Sequence, residues 1–291
     1  MNYVQAIVLG ALQGITELFP VSSLGHSIIL PPLLGWQIDE HAPFFLIFLV
    51  ATHLATSLVL LGFYFKDWMR IIAGMGRSLK ARYVDPDDGY ARLGWLIVVA
   101  TIPAGVLGLL FQEKLQALFA SPIAVSAFLL LNGLLLYGAE SLRKRRATGA
   151  DRETASASAH SDEQISRISW ASSVKVGCAQ SLALLPGFSR TGATLGGGLM
   201  VGLDHPNAAR FSFLLATPII LAAAVLKLPE LFAPGTAYPL GLILAGALAA
   251  AIGAYLSVRF LSRYFETKTL KPFAYYCAAA GLISLVVLLS R

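Results

Sequence analysis

The sequence predicts an all-α polytopic membrane protein built as an inverted-topology repeat, each half a re-entrant helical hairpin followed by three transmembrane helices. Three observations carry this reading. Of 291 residues, 56% are hydrophobic and only 13% charged, far from the balance of a water-soluble domain. Six stretches reach the roughly 20 apolar residues that a spanning helix needs. Two further apolar regions are each cut near the middle by proline and hydroxyl residues, and they recur at matching places in the two halves of the chain.

The first repeat, residues 1–142, opens with the interrupted region 4–34, broken at Pro20-Val21-Ser22-Ser23. Residues 4–19 would rise about 24 Å as a helix against a hydrocarbon core of about 30 Å, too short to cross. Two half-helices meeting inside the bilayer make a re-entrant hairpin, tolerated where protein or a wet cavity satisfies the broken backbone. Spans at 43–65, 93–110 and 122–140 follow. Ala147–Gln164, small, polar and low in complexity, reads as a flexible cytoplasmic linker within 143–170.

The second repeat, 171–291, has the same plan: a hairpin over 171–203 broken at Pro186-Gly187-Phe188-Ser189, then spans at 208–227, 239–258 and 272–290. Phe48-Leu49-Val50-Ala51-Thr52 matches Phe213-Leu214-Leu215-Ala216-Thr217; Thr52 stands 32 positions after Pro20 and Thr217 stands 31 after Pro186. An odd number of crossings separates the hairpins, so the halves are inverted, the architecture of many transporters.

Orientation follows from the basic residues. Loops 66–92, 143–175 and 259–271 hold six, seven and four Lys or Arg, 17 of the 22, and the rule that positive loops face inward assigns them to the cytoplasm. The net charge of +6 is therefore a topology signal, and no nucleic-acid face is expected. The N-terminus lacks the basic start and small-residue cleavage site of a signal peptide and is expected to stay. Cys178 and Cys277 have no metal-ligand or disulfide spacing.

Candidate chemistry gathers at the two breaks. Gln13 and Glu17 are i, i+4 neighbours on one face of the first half-helix, and an intramembrane carboxylate must find a partner, a metal or a proton. Past the break, Ser22 and Ser23 precede His26 by four and three residues, the spacing of a nucleophile and its base; the plainer role for the serines is helix capping. At the second break, Ser189, Arg190, Thr191 and Thr194 head a half-helix. Arginine forks onto phosphate oxygens and a helix N-terminus favours anions; the other role for Arg190 is an ion pair with Glu17. His53, mid-span, reads as a satisfied interior histidine. Asp204-His205-Pro206 reads as a helix start, and Trp36, Trp68, Trp95 and Trp170 as an interfacial belt.

Taken together, Gln13-x-x-x-Glu17 running into Pro20-Val21-Ser22-Ser23-Leu24-Gly25-His26, with Pro186-Gly187-Phe188-Ser189-Arg190-Thr191-Gly192-Ala193-Thr194 and Ala209-Arg210-Phe211-Ser212-Phe213-Leu214 downstream, resembles the bacterial undecaprenyl pyrophosphate phosphatase family associated with bacitracin resistance. The resemblance covers essentially the whole chain. It implies removal of the terminal phosphate of a C55 isoprenoid diphosphate at the outer face of the bacterial cytoplasmic (inner) membrane, recycling the carrier for peptidoglycan synthesis, with a divalent cation such as Mg²⁺ or Ca²⁺.

By position it implies catalytic roles for Glu17, Ser23, His26 and Arg190. Gln13, Ser22, Ser189, Arg190, Thr191 and Thr194 are expected to bind the substrate phosphates, and Glu17 to be the metal-ligating candidate. Thr191 stands where serine is more usual, Leu24 where threonine is common, and Gln13 in place of glutamate leaves one carboxylate in the pair. Attack by Ser23 with His26 as base, or by water activated by His26 or Glu17, both remain open. The competing classes are a polyprenyl-phosphate flippase and a membrane scaffold. Expected partners are the lipid diphosphate and membrane lipids; small-residue surfaces such as 241–253 pack either within the chain or between the subunits of a homodimer.

Overall fold

The computed structural model describes residues 1–39, 42–111, 115, 118, 121–147, 161–227, 229 and 238–290, and among these the chain is helical without a strand. Among the described residues twelve α-helices run in order: α1 (Tyr3–Leu18), α2 (Ser23–Leu33), α3 (Pro43–Phe63), α4 (Phe65–Ala81), α5 (Gly89–Leu110), α6 (Pro122–Ala147), α7 (Ser161–Ser166), α8 (Trp170–Gln180), α9 (Arg190–Met200), α10 (His205–Lys227), α11 (Leu240–Thr267) and α12 (Lys271–Leu289). A turn of 3₁₀-helix, Ser181–Leu184, follows α8.

Six of these helices are long and apolar enough to cross a membrane: Pro43–Phe63, Gly89–Leu110, Pro122–Lys144, His205–Lys227, Leu240–Thr267 and Lys271–Leu289. The protein is a multi-pass membrane protein. Each expected span falls on one of them, with ends shifted outward where capping or amphipathic sequence prolongs a helix. Asp88 caps α5 by accepting from the Ala91 amide at 3.0 Å, and Asp204 receives the Asn207 amide at 2.9 Å at the start of α10.

Two segments depart from the sequence reading. Residues 66–92, read as a basic loop, contain α4, which buries Ile71, Gly74 and Ser78 and turns Lys66 and Lys80 outward. A span-length filter passes over such a helix because its apolar face is a stripe and not a cylinder. Trp95 donates its indole N–H to Ser78 at 2.8 Å and ties α5 to α4. The end of the expected linker is structured as α7, where Ile165 is fully buried and Gln164 accepts from Asn207. Residues 148–160 of that linker lie outside the described residues.

Packing joins the two halves of the chain. Helix α1 lies along α11 so closely that a Cβ on Gly10 would stand 2.1 Å from the Gly246 carbonyl oxygen, and one on Gly14 2.0 Å from that of Ala250. Helix α6 packs along α12, α5 along α8, α3 against α10 and α11, and α9 is enclosed by α6, α8 and α10. The main apolar core surrounds the ends of α1 and α9, with Leu18, Leu195, Phe211, Phe213 and Leu214 almost entirely removed from the surface. Both cysteines are free, Cys178 exposed and Cys277 buried.

Candidate active site

Helix α1 stops at Leu18 because Pro20 forces the residue before it out of the helical region, and Phe19 is extended at φ −68°, ψ 143°. The chain turns at Ser22, a non-glycine residue at φ 69°, before α2 begins. The Ser22 hydroxyl accepts the Gly25 amide at 3.2 Å and caps the new helix. At the second break Gly187, at φ 107°, passes so near α6 that a Cβ there would meet the Val125 carbonyl oxygen at 2.3 Å; only glycine fits. Ser189 then caps α9 by accepting the Gly192 amide at 3.0 Å.

One side chain joins the two breaks. Fully buried Asn132 of α6 donates to the Pro20 carbonyl at 3.1 Å and accepts the Ser189 amide at 3.1 Å. Thr191 adds a second tie, donating to the Glu17 carbonyl at 2.8 Å. The helix ends that the sequence places far apart are thus in contact, and Glu17 stands between them.

The Glu17 carboxylate, 7% exposed, is surrounded by donors. Arg190 Nη2 donates to Oε1 at 2.6 Å, so the ion pair named as the other role of Arg190 is formed. Ser23 Oγ donates to Oε2 at 2.5 Å and Gln13 Nε2 donates to the same oxygen at 3.1 Å. His53 Nε2 lies 3.3 Å from Oε2. Arg190 keeps a buried Nη1 without a hydrogen-bond partner. Glu17, Ser22, Ser23, His53, Ser189 and Arg190 line one cavity of about 160 Å³, walled by Leu24, Ala104, Leu184, Phe188 and Ile219.

Four of the expected site residues sit differently. The Ser23–His26 pair is not formed: His26 turns back along α2, its Nδ1 donating to the Ser22 carbonyl at 2.6 Å, while Nε2 accepts from the Tyr276 hydroxyl at 2.7 Å. The ring also stacks on Tyr276, with centroids 5.7 Å apart, and it is not among the residues lining the cavity. Thr191 spends its hydroxyl proton on the Glu17 carbonyl. Thr194 bonds Ser212 and the Arg190 carbonyl, so neither threonine faces the cavity. Gln13 meets Glu17 and stays outside the cavity wall.

Two wall residues lie outside the expected site residues. His53, expected as a satisfied interior histidine, meets Glu17 on another helix, so no local spacing marks it. Gln180 lines the cavity with a buried, unpartnered Oε1. Its signal was available: Gln180 stands six residues before Pro186 much as Gln13 stands seven before Pro20.

Toward a hard divalent cation the donor set is all oxygen but small. Glu17 is the one carboxylate, Gln13 Oε1 is buried without a partner, and Ser22 and Ser23 add hydroxyls. Among the described residues no three His, Cys, Asp or Glu side chains gather as a metal cage. Such a set fits a cation whose remaining ligands are substrate phosphates and water.

Comparison with known proteins covers nearly the whole chain. The family model described as bacitracin resistance protein BacA matches residues 6–283. The chain is 49% identical to the undecaprenyl-diphosphatase of Mycolicibacterium paratuberculosis, covering 100% of this chain and 99% of that protein. It is 45% identical to undecaprenyl-diphosphatase 2 of Chromobacterium violaceum over 98% of this chain and 99% of that one. With the undecaprenyl-diphosphatase of Gluconobacter oxydans the identity is 42%, over 99% and 100% respectively.

Proposed function

Because the chain belongs to the bacitracin resistance protein BacA family, we propose that it is an integral membrane phosphatase that hydrolyses undecaprenyl diphosphate to undecaprenyl phosphate and inorganic phosphate. The observation that carries the mechanism is the 2.5 Å hydrogen bond from Ser23 Oγ to Glu17 Oε2, on the wall of a cavity that Arg190 shares. A serine hydroxyl is a weak nucleophile until a base takes its proton, and here the base in contact is a carboxylate.

The cavity, about 160 Å³, is smaller than the 300–1,000 Å³ typical of sites that enclose a drug-sized molecule. It takes the diphosphate head and leaves the prenyl tail to the bilayer. Arg190 Nη1 and the hydroxyls of Ser22 and Ser189 meet the phosphate oxygens. Ser23 Oγ attacks the terminal phosphorus as its proton passes to Glu17 Oε2. The bond to the bridging oxygen breaks, and undecaprenyl phosphate leaves. Water then hydrolyses the phosphoserine. Fixed charge and in-line placement supply most of the acceleration in phosphoryl transfer. His26, held between the Ser22 carbonyl and Tyr276, steadies the Ser22 turn. Glu17 and Gln13 are the side chains that would hold a divalent cation, which would supply charge neutralisation at the diphosphate.

The architecture we propose is the inverted repeat, with α1–α2 and α8–α9 as re-entrant hairpins and repeats spanning 1–142 and 171–291. Its support is the packing: α1 lies on α11 as α8 lies on α5, while α3 meets α10 and α6 meets α12. The basic segments then face the cytoplasm and the cavity opens to the outer face of the bacterial cytoplasmic membrane. The glycines of α11 are covered within the chain by α1 and by Phe48 of α3, so a homodimer would use another surface.

Phosphate release from the purified chain in detergent tests the activity, because a flippase has no sidedness to act on there. Radiolabelled terminal phosphate is expected to be trapped on Ser23 by acid quench. Full turnover by Ser23→Ala would eliminate serine attack.

A further inference from the structure

Behind the proton acceptor of Ser23 stands a side chain to which neither the sequence motifs nor the relatives' names give a part. His53 projects from the middle of α3, and its Nδ1 lies 2.7 Å from the Leu49 carbonyl oxygen. A carbonyl only accepts, so Nδ1 carries hydrogen and that bond fixes the plane of the ring. The other nitrogen, Nε2, faces Glu17 Oε2 at 3.3 Å, an oxygen that already accepts from Ser23 and Gln13. Only a hydrogen on Nε2 makes that contact attractive.

We propose that His53 is a positioning residue for the phosphatase reaction: held on α3 by Leu49, it donates to Glu17 and fixes Oε2 against the Ser23 hydroxyl. The inference rests on the reading of Glu17 as the group that takes the Ser23 proton. It accounts for a division of labour around one carboxylate. Arg190 holds Oε1 but also lines the cavity with an unpartnered Nη1, so it is shared with the substrate. His53 reaches Oε2 from a helix that belongs to neither break, and it stays in place when Arg190 engages phosphate. His26 cannot substitute, since both its nitrogens are committed to Ser22 and Tyr276.

The full-length chain in detergent, with His53→Ala and His53→Gln, tests this with two readouts. One is steady-state phosphate release. The other is the labelling rate of Ser23 by an alkyl fluorophosphonate, in which the Ser23 oxygen bonds to phosphorus, fluoride leaves and the serine proton passes to Glu17. His53→Ala is expected to lower kcat and the labelling rate about 10- to 100-fold, the usual effect of removing a partner that orients a reacting group, with KM unchanged. Glutamine restores most of both, because its amide can donate to Glu17, and the thermal midpoints of the two variants stay level.

An alanine variant that turns over and labels like the wild type overturns the proposal. So does an equal loss in both variants accompanied by a lower thermal midpoint, the mark of a packing role. A wild-type chain that releases phosphate but is not labelled at Ser23 defeats serine attack, and the part given to His53 falls with it. A wild-type chain that labels but releases no phosphate defeats the substrate reading alone, and the labelling comparison decides.

Discussion

Four side chains, those of Arg190, Ser23, Gln13 and His53, come within 3.3 Å of the Glu17 carboxylate, which leaves that group no rotational freedom worth counting. A serine and a carboxylate 2.5 Å apart are already placed for proton transfer, so little reorganisation stands between the resting site and reaction. Arg190 is the residue whose two nitrogens are asked to do different things, Nη2 on Glu17 and Nη1 on substrate. Lysine keeps the charge but has no second nitrogen in a fixed fork. Arg190→Lys is therefore expected to raise KM about 10- to 100-fold, the worth of one hydrogen bond to a charged group at ~1.5–3 kcal/mol. Steady-state phosphate release across substrate concentrations checks it, and an unchanged KM would remove Nη1 from substrate binding.

Helix α1 delivers Glu17 only as well as it lies along α11, and that contact is backbone against backbone. Gly14→Ala is expected to push the two helices apart and cost about 1–3 kcal/mol, since its Cβ would overlap the Ala250 carbonyl oxygen at 2.0 Å. Gly62→Ala on α3 meets nothing within 4 Å and should be neutral or slightly stabilising, because alanine favours a helix. Thermal midpoints of the two variants in one detergent compare them directly, and equal midpoints would show that α1 and α11 are not held by close approach. The six spans and the two breaks were legible in the sequence because hydrocarbon demands long apolar helices and proline ends them. Helix α4 was not, since its apolar residues form a stripe too narrow for a span-length filter. The site was legible in part for a related reason. Glu17, Ser23 and Arg190 sit beside prolines that mark them, whereas His53 meets Glu17 only through the packing of α3 against α1. His26 has the right spacing from Ser23, but spacing does not say which way a ring turns.

At the scale of the molecule, sidedness and mechanism are linked, since a cavity that opens outward must lie across the membrane from the basic segments. Single cysteines in a background with Cys178 and Cys277 replaced test this in intact cells. A membrane-impermeant maleimide is expected to label Ile38→Cys and to miss Lys80→Cys on α4 until the membrane is opened. The opposite pattern would invert the topology. Asn132 bears on a different matter. Its one amide is a peg through both helix interruptions, gripping the Pro20 carbonyl on one side and the Ser189 amide on the other. A carrier that exposes its load alternately to two compartments must let its moving parts slide past each other. Here such a slide would strip the buried Asn132 amide of its bond to Ser189 and the Thr191 hydroxyl of its bond to Glu17, which argues for a stationary crucible to which the lipid comes and from which it leaves.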